Sequence, residues 1–217
     1  PSGLLESYYD AARGQIIWGH STTPGNIVDV GRGLVGDIDP RFPGFEVWSF
    51  SGLFNGETNT LTEPDTSKSP WPTHSIWWDA DMLAEGLNDH KIEKWNPLAP
   101  TASNALPRLV SMTSSAYGSP RLNNRNPMFF GDIHGDWRTE VVLLNSTYTE
   151  LVIFTTNVPT STRLYTMAHN PAYRNHMTIK GYLQSPLPDY YIGDGMDQPP
   201  RPNIRYARTG IGAAQRA

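Results

Sequence analysis

The sequence contains no cysteine among its 217 residues. This absence excludes a disulfide framework and a thiol nucleophile, so any stabilisation beyond core packing must come from elsewhere, for instance from bound metal. Charged residues are also scarce at 18%, and the formal net charge of -4 leaves no basic surplus. The overall charge therefore indicates neither a nucleic-acid partner nor binding to an anionic membrane surface.

Long hydrophobic runs are absent as well. Apolar stretches such as 141–144 and 151–154 are strand-sized, far short of the roughly 20 residues that span a bilayer. We therefore predict no membrane partner. The triplet Asn145-Ser146-Thr147 is a glycosylation sequon that directly follows an apparent strand. Although such triplets also arise by chance, this one favours a secreted, extracellular protein.

What the sequence does contain is typical of an all-β protein. Gly and Pro number 19 each and aromatics reach 11%, a composition that favours many short strands joined by tight turns. Residues 9–15 and 145–149 are predicted to be hairpin turns. One short helix is predicted over 79–87, and 198–217 is predicted to be an extended carboxy-terminal tail. Strands are predicted at 4–9, 15–18, 45–50, 140–144, 150–155 and 163–166.

An internal repeat indicates the architecture. Residues 36–40, followed by 44–48, recur loosely as 131–142, 95 residues later, and residues 77–81 open another unit between them. A period of about 45 to 50 residues is typical of four-stranded propeller blades. We therefore predict that residues 1–197 form part of a β-propeller, with roughly four to five blades. Because the sequence at Pro1 looks like the middle of a blade, we expect an amino-terminal portion of the propeller to be missing, and a second polypeptide chain could supply it.

The repeated loops are rich in acidic residues. In each copy, aspartates lie in the loop and a glutamate begins the next strand, an oxygen-rich arrangement that suits calcium. Asp and Gly are also ordinary turn formers, and aspartates at 79 and 81 equally suit the start of the predicted helix. The predicted calcium ligands are Asp37, Asp39 and Glu46 in one copy, Asp132, Asp136 and Glu140 in the other, and Asp79 and Asp81 in the unit between.

Several motifs resemble the family 11 polysaccharide lyases, the rhamnogalacturonan lyases. The resemblance implies an eight-bladed propeller with several buried calcium ions, of which this chain supplies roughly the last half. It also implies β-elimination in an acidic plant polysaccharide: a base removes the C5 proton of a galacturonate and the C4 oxygen leaves. The motifs are DVGRG at 29–33, GDIDPRFPGFEVWS at 36–49, IWWDADML at 76–83, GDWRTE at 135–140, TTNVPT at 155–160, RLYTMAHNPAYR at 163–174 and YLQSPLPDYYIG at 182–193.

The resemblance implies an active-site role for Tyr182. A tyrosine acts as a base only if nearby positive charge lowers its pKa of about 10, and the candidate cations are Lys180 and Arg125. The family has an Asn-Gly-Thr-Lys-like loop before Pro127, where this chain has Leu-Asn-Asn-Arg-Asn at 122–126. Arg125 can neutralise a carboxylate, but it remains protonated and would be a poor base.

Other candidate residues would contact the sugar. Asn123 and Asn124 are predicted to hydrogen-bond sugar hydroxyls, although asparagines are also common turn residues. His169 is a further substrate-binding candidate, with a structural histidine as the alternative. Trp77, Trp78, Trp95 and Trp137 would either stack on sugars or lie buried between blades. A second hypothesis is a non-catalytic, lectin-like propeller that keeps the calcium loops and has lost the base.

Overall fold

A computed structural model describes residues 4–21, 32–65, 67–123, 125–179, 185–199 and 201–203. Within these residues the chain is all-β, as predicted, with 13 strands in four antiparallel sheets. The strands are β1 (Leu4–Asp10), β2 (Gln15–Ser21), β3 (Gly33–Gly36), β4 (Glu46–Ser49), β5 (Gly52–Asn55), β6 (Leu61–Glu63), β7 (His74–Ile76), β8 (Glu85–Asn88), β9 (Lys91–Glu93), β10 (Arg108–Ser111), β11 (Phe129–Gly131), β12 (Glu140–Leu144) and β13 (Leu151–Phe154).

The sheets are meanders, in which strands that follow one another in sequence also pair. The first sheet has the order β3-β4-β5-β6, the second β10-β9-β8-β7 and the third β11-β12-β13, while β1 and β2 form a separate hairpin. The predicted turns at 9–15 and 145–149 are confirmed. In the first of these, Gly14 adopts φ 66° and its N–H donates to the Asp10 carbonyl at 2.7 Å.

The sheets pack face to face, and most of the core lies between them. Leu34, Trp48 and Leu53 of the first sheet belong to one buried cluster with Ala84 and Trp95. A second cluster joins the second and third sheets, and it contains Ile76, Leu87, Ile92, Phe130, Val141 and Leu143. The first strands of two neighbouring sheets, β3 and β7, lie side by side. Their approach is so close that a Cβ at Gly36 would come within 2.8 Å of the Ser75 hydroxyl.

The carboxy-terminal part of the described chain crosses back over the sheets. Met167, Tyr173 and Ile192 form a third buried cluster with Trp77 and Trp137. The Ser185 hydroxyl accepts a hydrogen bond from the Ser75 N–H at 2.8 Å, 110 residues away in sequence. The four tryptophans at 77, 78, 95 and 137 are at most 5% exposed. They are therefore part of the core and cannot stack on sugars.

The predicted helix over 79–87 is wrong. Residues 79–83 form a loop, and β8 begins at Glu85, where the alternating burial of Glu85 and Leu87 is a strand pattern. Residues 163–166, predicted as a strand, also have no regular structure.

Two α-helices are described instead, α1 (Ala102–Ala105) and α2 (Pro171–Thr178). The start of α2 was readable from the sequence, because the Asn170 side chain caps the Tyr173 N–H and a proline follows it. Among the described residues, no helix is long and apolar enough to cross a membrane.

Candidate functional site

The same construction occurs at the first turn of each of the three larger sheets. The last residue of the first strand pairs with a glutamate that begins the second strand: Gly36 with Glu46, Ile76 with Glu85, and Gly131 with Glu140. All three glutamates are at most 1% exposed. The connecting residues together with the glutamate that follows them, 37–46, 77–85 and 132–140, are called here the first, second and third acidic loops.

Each glutamate holds its own loop closed. One carboxylate oxygen accepts the backbone N–H two residues after the first strand, that of Ile38 at 3.0 Å, Trp78 at 2.7 Å or Ile133 at 2.8 Å. In the first and third loops the following N–H donates to the same oxygen. A carboxylate that accepts such bonds replaces backbone partners that a β-ladder would otherwise supply. The sequence repeat is therefore also a structural repeat.

The first acidic loop contains two buried carboxylate oxygens without a hydrogen-bond donor. The Asp39 carboxylate is held by the Arg41 guanidinium at 2.7 and 2.9 Å, whereas one Asp37 oxygen accepts the Tyr191 hydroxyl at 2.6 Å. The other oxygens, Asp37 Oδ1 and Glu46 Oε1, are buried and unpartnered. Burial raises the pKa of Asp37 and raises that of Glu46 to about 8. Two such oxygens fit a bound cation.

The third acidic loop is already satisfied by protein groups. Asp132 Oδ2 accepts the Thr166 hydroxyl at 2.6 Å and the Met167 N–H at 2.9 Å, while its other oxygen accepts two loop N–H groups. The other Glu140 oxygen, Oε1, accepts the Thr155 hydroxyl at 3.1 Å. Asp136, predicted as a ligand beside these two, is instead paired with Arg138 at 2.7 Å.

The second acidic loop brings three carboxylates together around a lysine. Within the described part of the chain, Asp79, Asp81 and Glu85 are the one group of three or more potential metal ligands whose atoms lie within 4.8 Å of one another. Lys94 Nζ lies 2.6 Å from Asp79, 2.6 Å from Asp81 and 3.0 Å from Glu85. Although burial alone lowers the pKa of Lys94, the charge of Glu85 and these hydrogen bonds raise it above its usual range.

Sequence reasoning missed Glu85 and Lys94. Glu85 was missed because residues 79–87 were taken for a helix, which hid its equivalence to Glu46 and Glu140. Lys94 lies 15 residues from Asp79, and nothing in the local pattern pairs them.

The loop predicted to carry catalysis is a tight, exposed turn. The backbone groups of Asn123 and Asn126 exchange two hydrogen bonds of 2.9 Å, and Arg125 adopts a left-handed conformation with φ 70°. The side chains of Asn123 and Arg125 are both exposed. Asn124, Lys180 and Tyr182 lie outside the described residues.

His169 lines a cleft at the start of helix α2. The cleft has a volume of about 820 Å³, and its walls include Tyr165, Arg174, Tyr190 and Arg201. Arg174 donates to the Ala168 and His169 carbonyls at 2.8 and 3.0 Å, so its guanidinium is held at the cleft wall. Aromatic rings together with guanidinium groups are suited to binding an acidic sugar.

The fold and these loops define an all-β domain whose three larger sheets are meanders, each closed at its first turn by a buried glutamate. The model of the family "Rhamnogalacturonan lyase family 11, C-terminal domain" matches residues 3–202. The chain belongs to this family. Among curated relatives, it is 37% identical over 200 residues to the rhamnogalacturonan endolyase YesW of Bacillus subtilis (strain 168), and 33% identical over 225 residues to the exolyase YesX.

Solved structures agree with this assignment. The crystal structure of YesW matches 93% of the chain with a TM-score of 0.78 and 34% identity, and the family 11 rhamnogalacturonan lyase of Bacillus licheniformis matches 92% with a TM-score of 0.74 and 36% identity. The chain spans 33% and 32% of those two proteins. The matches to the curated relatives YesW and YesX include 91% and 95% of this chain. They include only 30% and 34% of the length of those two relatives.

Proposed function

We propose that the protein to which this chain belongs is a rhamnogalacturonan lyase that cleaves rhamnose-galacturonate linkages by β-elimination. The family match over residues 3–202 carries this proposal, supported by two relatives whose names specify an endolyase and an exolyase. The two names agree on the polymer and differ in the mode of attack. For this protein we accordingly propose the polymer and leave the mode to the experiment below.

The proposal includes an eight-bladed propeller to which this chain contributes about half of the ring. Two four-stranded meanders and one three-stranded meander, packed face to face, are what consecutive blades would supply. The first strands β3 and β7 lie nearest each other, as the inner strands of neighbouring blades do. The remaining blades would come from the rest of the protein.

The chemistry requires a neutralised carboxylate and a base. The C5 proton of a galacturonate becomes acidic only when the adjacent carboxylate is neutralised, a role that we assign to the exposed guanidinium of Arg125. Tyr182 is the proposed proton acceptor, or the donor to the departing C4 oxygen. The turn at 123–126 would present Arg125 together with the amide of Asn123 to the sugar.

We propose calcium as a structural ion of the first acidic loop. The support is the pair of buried, unpartnered oxygens on Asp37 and Glu46. Calcium would be the positively charged partner that these two oxygens lack, and its preference for oxygen ligands suits the site. Asp39 would contribute indirectly, because Arg41 already holds its carboxylate.

The substrate would be an acidic plant polysaccharide, an extracellular polymer, so we also propose secretion. The cleft at helix α2 is a candidate secondary contact for that polymer. Its two arginines, Arg174 and Arg201, would attract uronate carboxylates, and Tyr165 and Tyr190 would pack on sugar rings. His169 would hydrogen-bond from the same wall.

A lectin-like, non-catalytic propeller is the second candidate. The observation that favours it is Arg125, which occupies the loop position where the family has a lysine and which cannot act as a base at neutral pH. Both candidates predict binding of rhamnogalacturonan. Only the lyase predicts an unsaturated uronate product.

The full protein should be incubated with rhamnogalacturonan while the ultraviolet absorbance of the unsaturated product is followed. We expect absorbance to rise for the wild type and to be lost in Tyr182→Phe, with the exposed Tyr148→Phe as the matched control. Chromatography of early products would separate internal from terminal cleavage. Tight binding without any rise in absorbance would reject the lyase and support the lectin.

A further inference from the structure

We propose that the ammonium group of Lys94 is a built-in cation of the second acidic loop and stands where a divalent ion would otherwise bind. The loop would then hold no calcium in this protein, and its charge balance would not depend on metal supply. This inference does not depend on lyase activity. It rests on the contacts of Lys94 and on a comparison of the three acidic loops.

The contacts saturate the lysine. An ammonium group has three hydrogen-bond donors, and Lys94 Nζ has three carboxylate acceptors at 2.6, 2.6 and 3.0 Å. The Lys94 side chain is 21% exposed and the carboxylate of Glu85 is fully buried. A divalent ion coordinated by the same three oxygens would have to occupy the space in which Nζ lies.

The strand register shows that Lys94 occupies the position that determines the partner of the buried glutamate. Pairing of Gly86 with Glu93 places Lys94 opposite Glu85 on the neighbouring strand. In the third sheet, pairing of Val141 with Phe154 places Thr155 opposite Glu140, and the Thr155 hydroxyl indeed donates to that glutamate.

In the first sheet the same position is Asn55, which pairs directly with Glu46. The Asn55 side-chain oxygen accepts hydrogen bonds from the N–H groups of Glu57 and Thr58, so it is held by its own turn. Glu46 Oε1 is left unpartnered. One register position thus carries asparagine, lysine or threonine. The carboxylate opposite it correspondingly has one oxygen without a partner in the first sheet, an ammonium partner in the second and a hydroxyl partner in the third.

A second difference between the second acidic loop and the other two agrees with this inference. The residue directly after the first strand is a buried aspartate in the first and third loops, Asp37 and Asp132, and it is Trp77 in the second. Trp77 is 3% exposed and packs in the core with Trp137 and Tyr173. The second loop therefore lacks one buried carboxylate that the other two loops have, and a lysine, Lys94, lies opposite its glutamate.

Native mass spectrometry of the full protein, equilibrated with calcium, would count the bound ions. We expect Lys94→Met to bind one more calcium ion per chain than the wild type. Lys91→Met, which removes the same charge from the same region of the second sheet, should leave the count unchanged. A folded Lys94→Met variant that gains no ion would overturn the proposal.

A second variant tests the wild-type loop without removing the lysine. Asp81 is 52% exposed on its side chain and contacts Lys94, so Asp81→Asn should fold normally. We expect its calcium count to equal that of the wild type. Loss of one ion in Asp81→Asn would mean that the second loop binds calcium despite Lys94, and it would overturn the proposal even if Lys94→Met does not fold.

Discussion

Substitution of Glu46 by glutamine should change protein stability in opposite directions with and without calcium. Glu46 is fully buried; its Oε2 accepts the N–H groups of Ile38 and Asp39 at 3.0 Å, and its Oε1 has no partner. Glutamine keeps an oxygen for the two backbone donors. It also replaces the unpartnered oxygen by an amide N–H₂ group, and the side chain then stays neutral at every pH.

The magnitude follows from the pKa of Glu46, which burial raises to about 8 from 4.5. At pH 7 the carboxyl group is ionised in the unfolded chain and protonated in the calcium-free folded protein, a difference that destabilises the fold by about 3 kcal/mol. Glutamine is neutral in both states and avoids this cost. We expect Glu46→Gln to raise the unfolding free energy by about 1 to 3 kcal/mol in calcium-free buffer.

The sign of the pH dependence is also defined. Because the folded pKa lies above the unfolded one, the wild type is most stable relative to the variant below about pH 4.5 and loses that stability as pH rises through 8. The advantage of Glu46→Gln should accordingly be near zero below pH 4.5 and largest above pH 8. Saturating calcium should reverse the order, since an ion at about 1,000 times its Kd stabilises the wild type by about 4 kcal/mol.

The assay is urea denaturation of the full protein at several pH values, in chelator and in calcium. Glu57→Gln, at an exposed turn position of the first sheet, is the matched control and should change little in either buffer. If Glu46→Gln destabilises the protein equally in chelator and in calcium, then the buried carboxylate is not a calcium ligand and the reasoning fails.

Three further predictions test other parts of the molecule. Tyr173→Phe removes the hydroxyl oxygen that accepts the buried Asp132 N–H at 2.8 Å, so it should lower the unfolding free energy by about 1 to 3 kcal/mol, whereas the exposed Tyr148→Phe should not. Arg125→Ala should lower kcat/KM for rhamnogalacturonan by about 100-fold with unchanged thermal stability, and Arg125→Lys should recover part of it. Arg201→Ala should weaken binding of acidic oligosaccharides at low salt, with a smaller difference at high salt as measured by titration calorimetry.

Much of the local structure was determined by the sequence alone. Strand β12 was predicted with its observed bounds, and both hairpin turns were placed correctly, because β-branched runs bounded by Gly, Asn and Asp have few other favourable conformations. The spacing of the acidic loops was also readable, and it reflects a repeated strand-turn-strand unit. Family membership followed from motifs spread over most of the chain, and the family match confirmed it.

Tertiary structure decided what each acidic residue does. Asp37 binds Tyr191, 154 residues away, and Asp132 binds Thr166, 34 residues away; neither pair has a local signature. Residues 79–87 were misread as a helix because their short apolar pattern fits both the 3.6-residue period of a helix and the 2-residue period of a strand. Packing of Leu87 between two sheets decides in favour of a loop followed by a strand.

The acidic repeat, taken from the sequence, predicted two similar calcium sites, at Asp37, Asp39 and Glu46 and at Asp132, Asp136 and Glu140, and a third at Asp79 and Asp81 with a helix start as the alternative. Strand register made them different, since it places Asn55, Lys94 or Thr155 opposite the buried glutamate. A sequence pattern lists which charges are near one another along the chain. Which charge is neutralised, and by what, depends on the neighbouring strand, because a buried carboxylate responds to the atoms within a few ångströms of it in space.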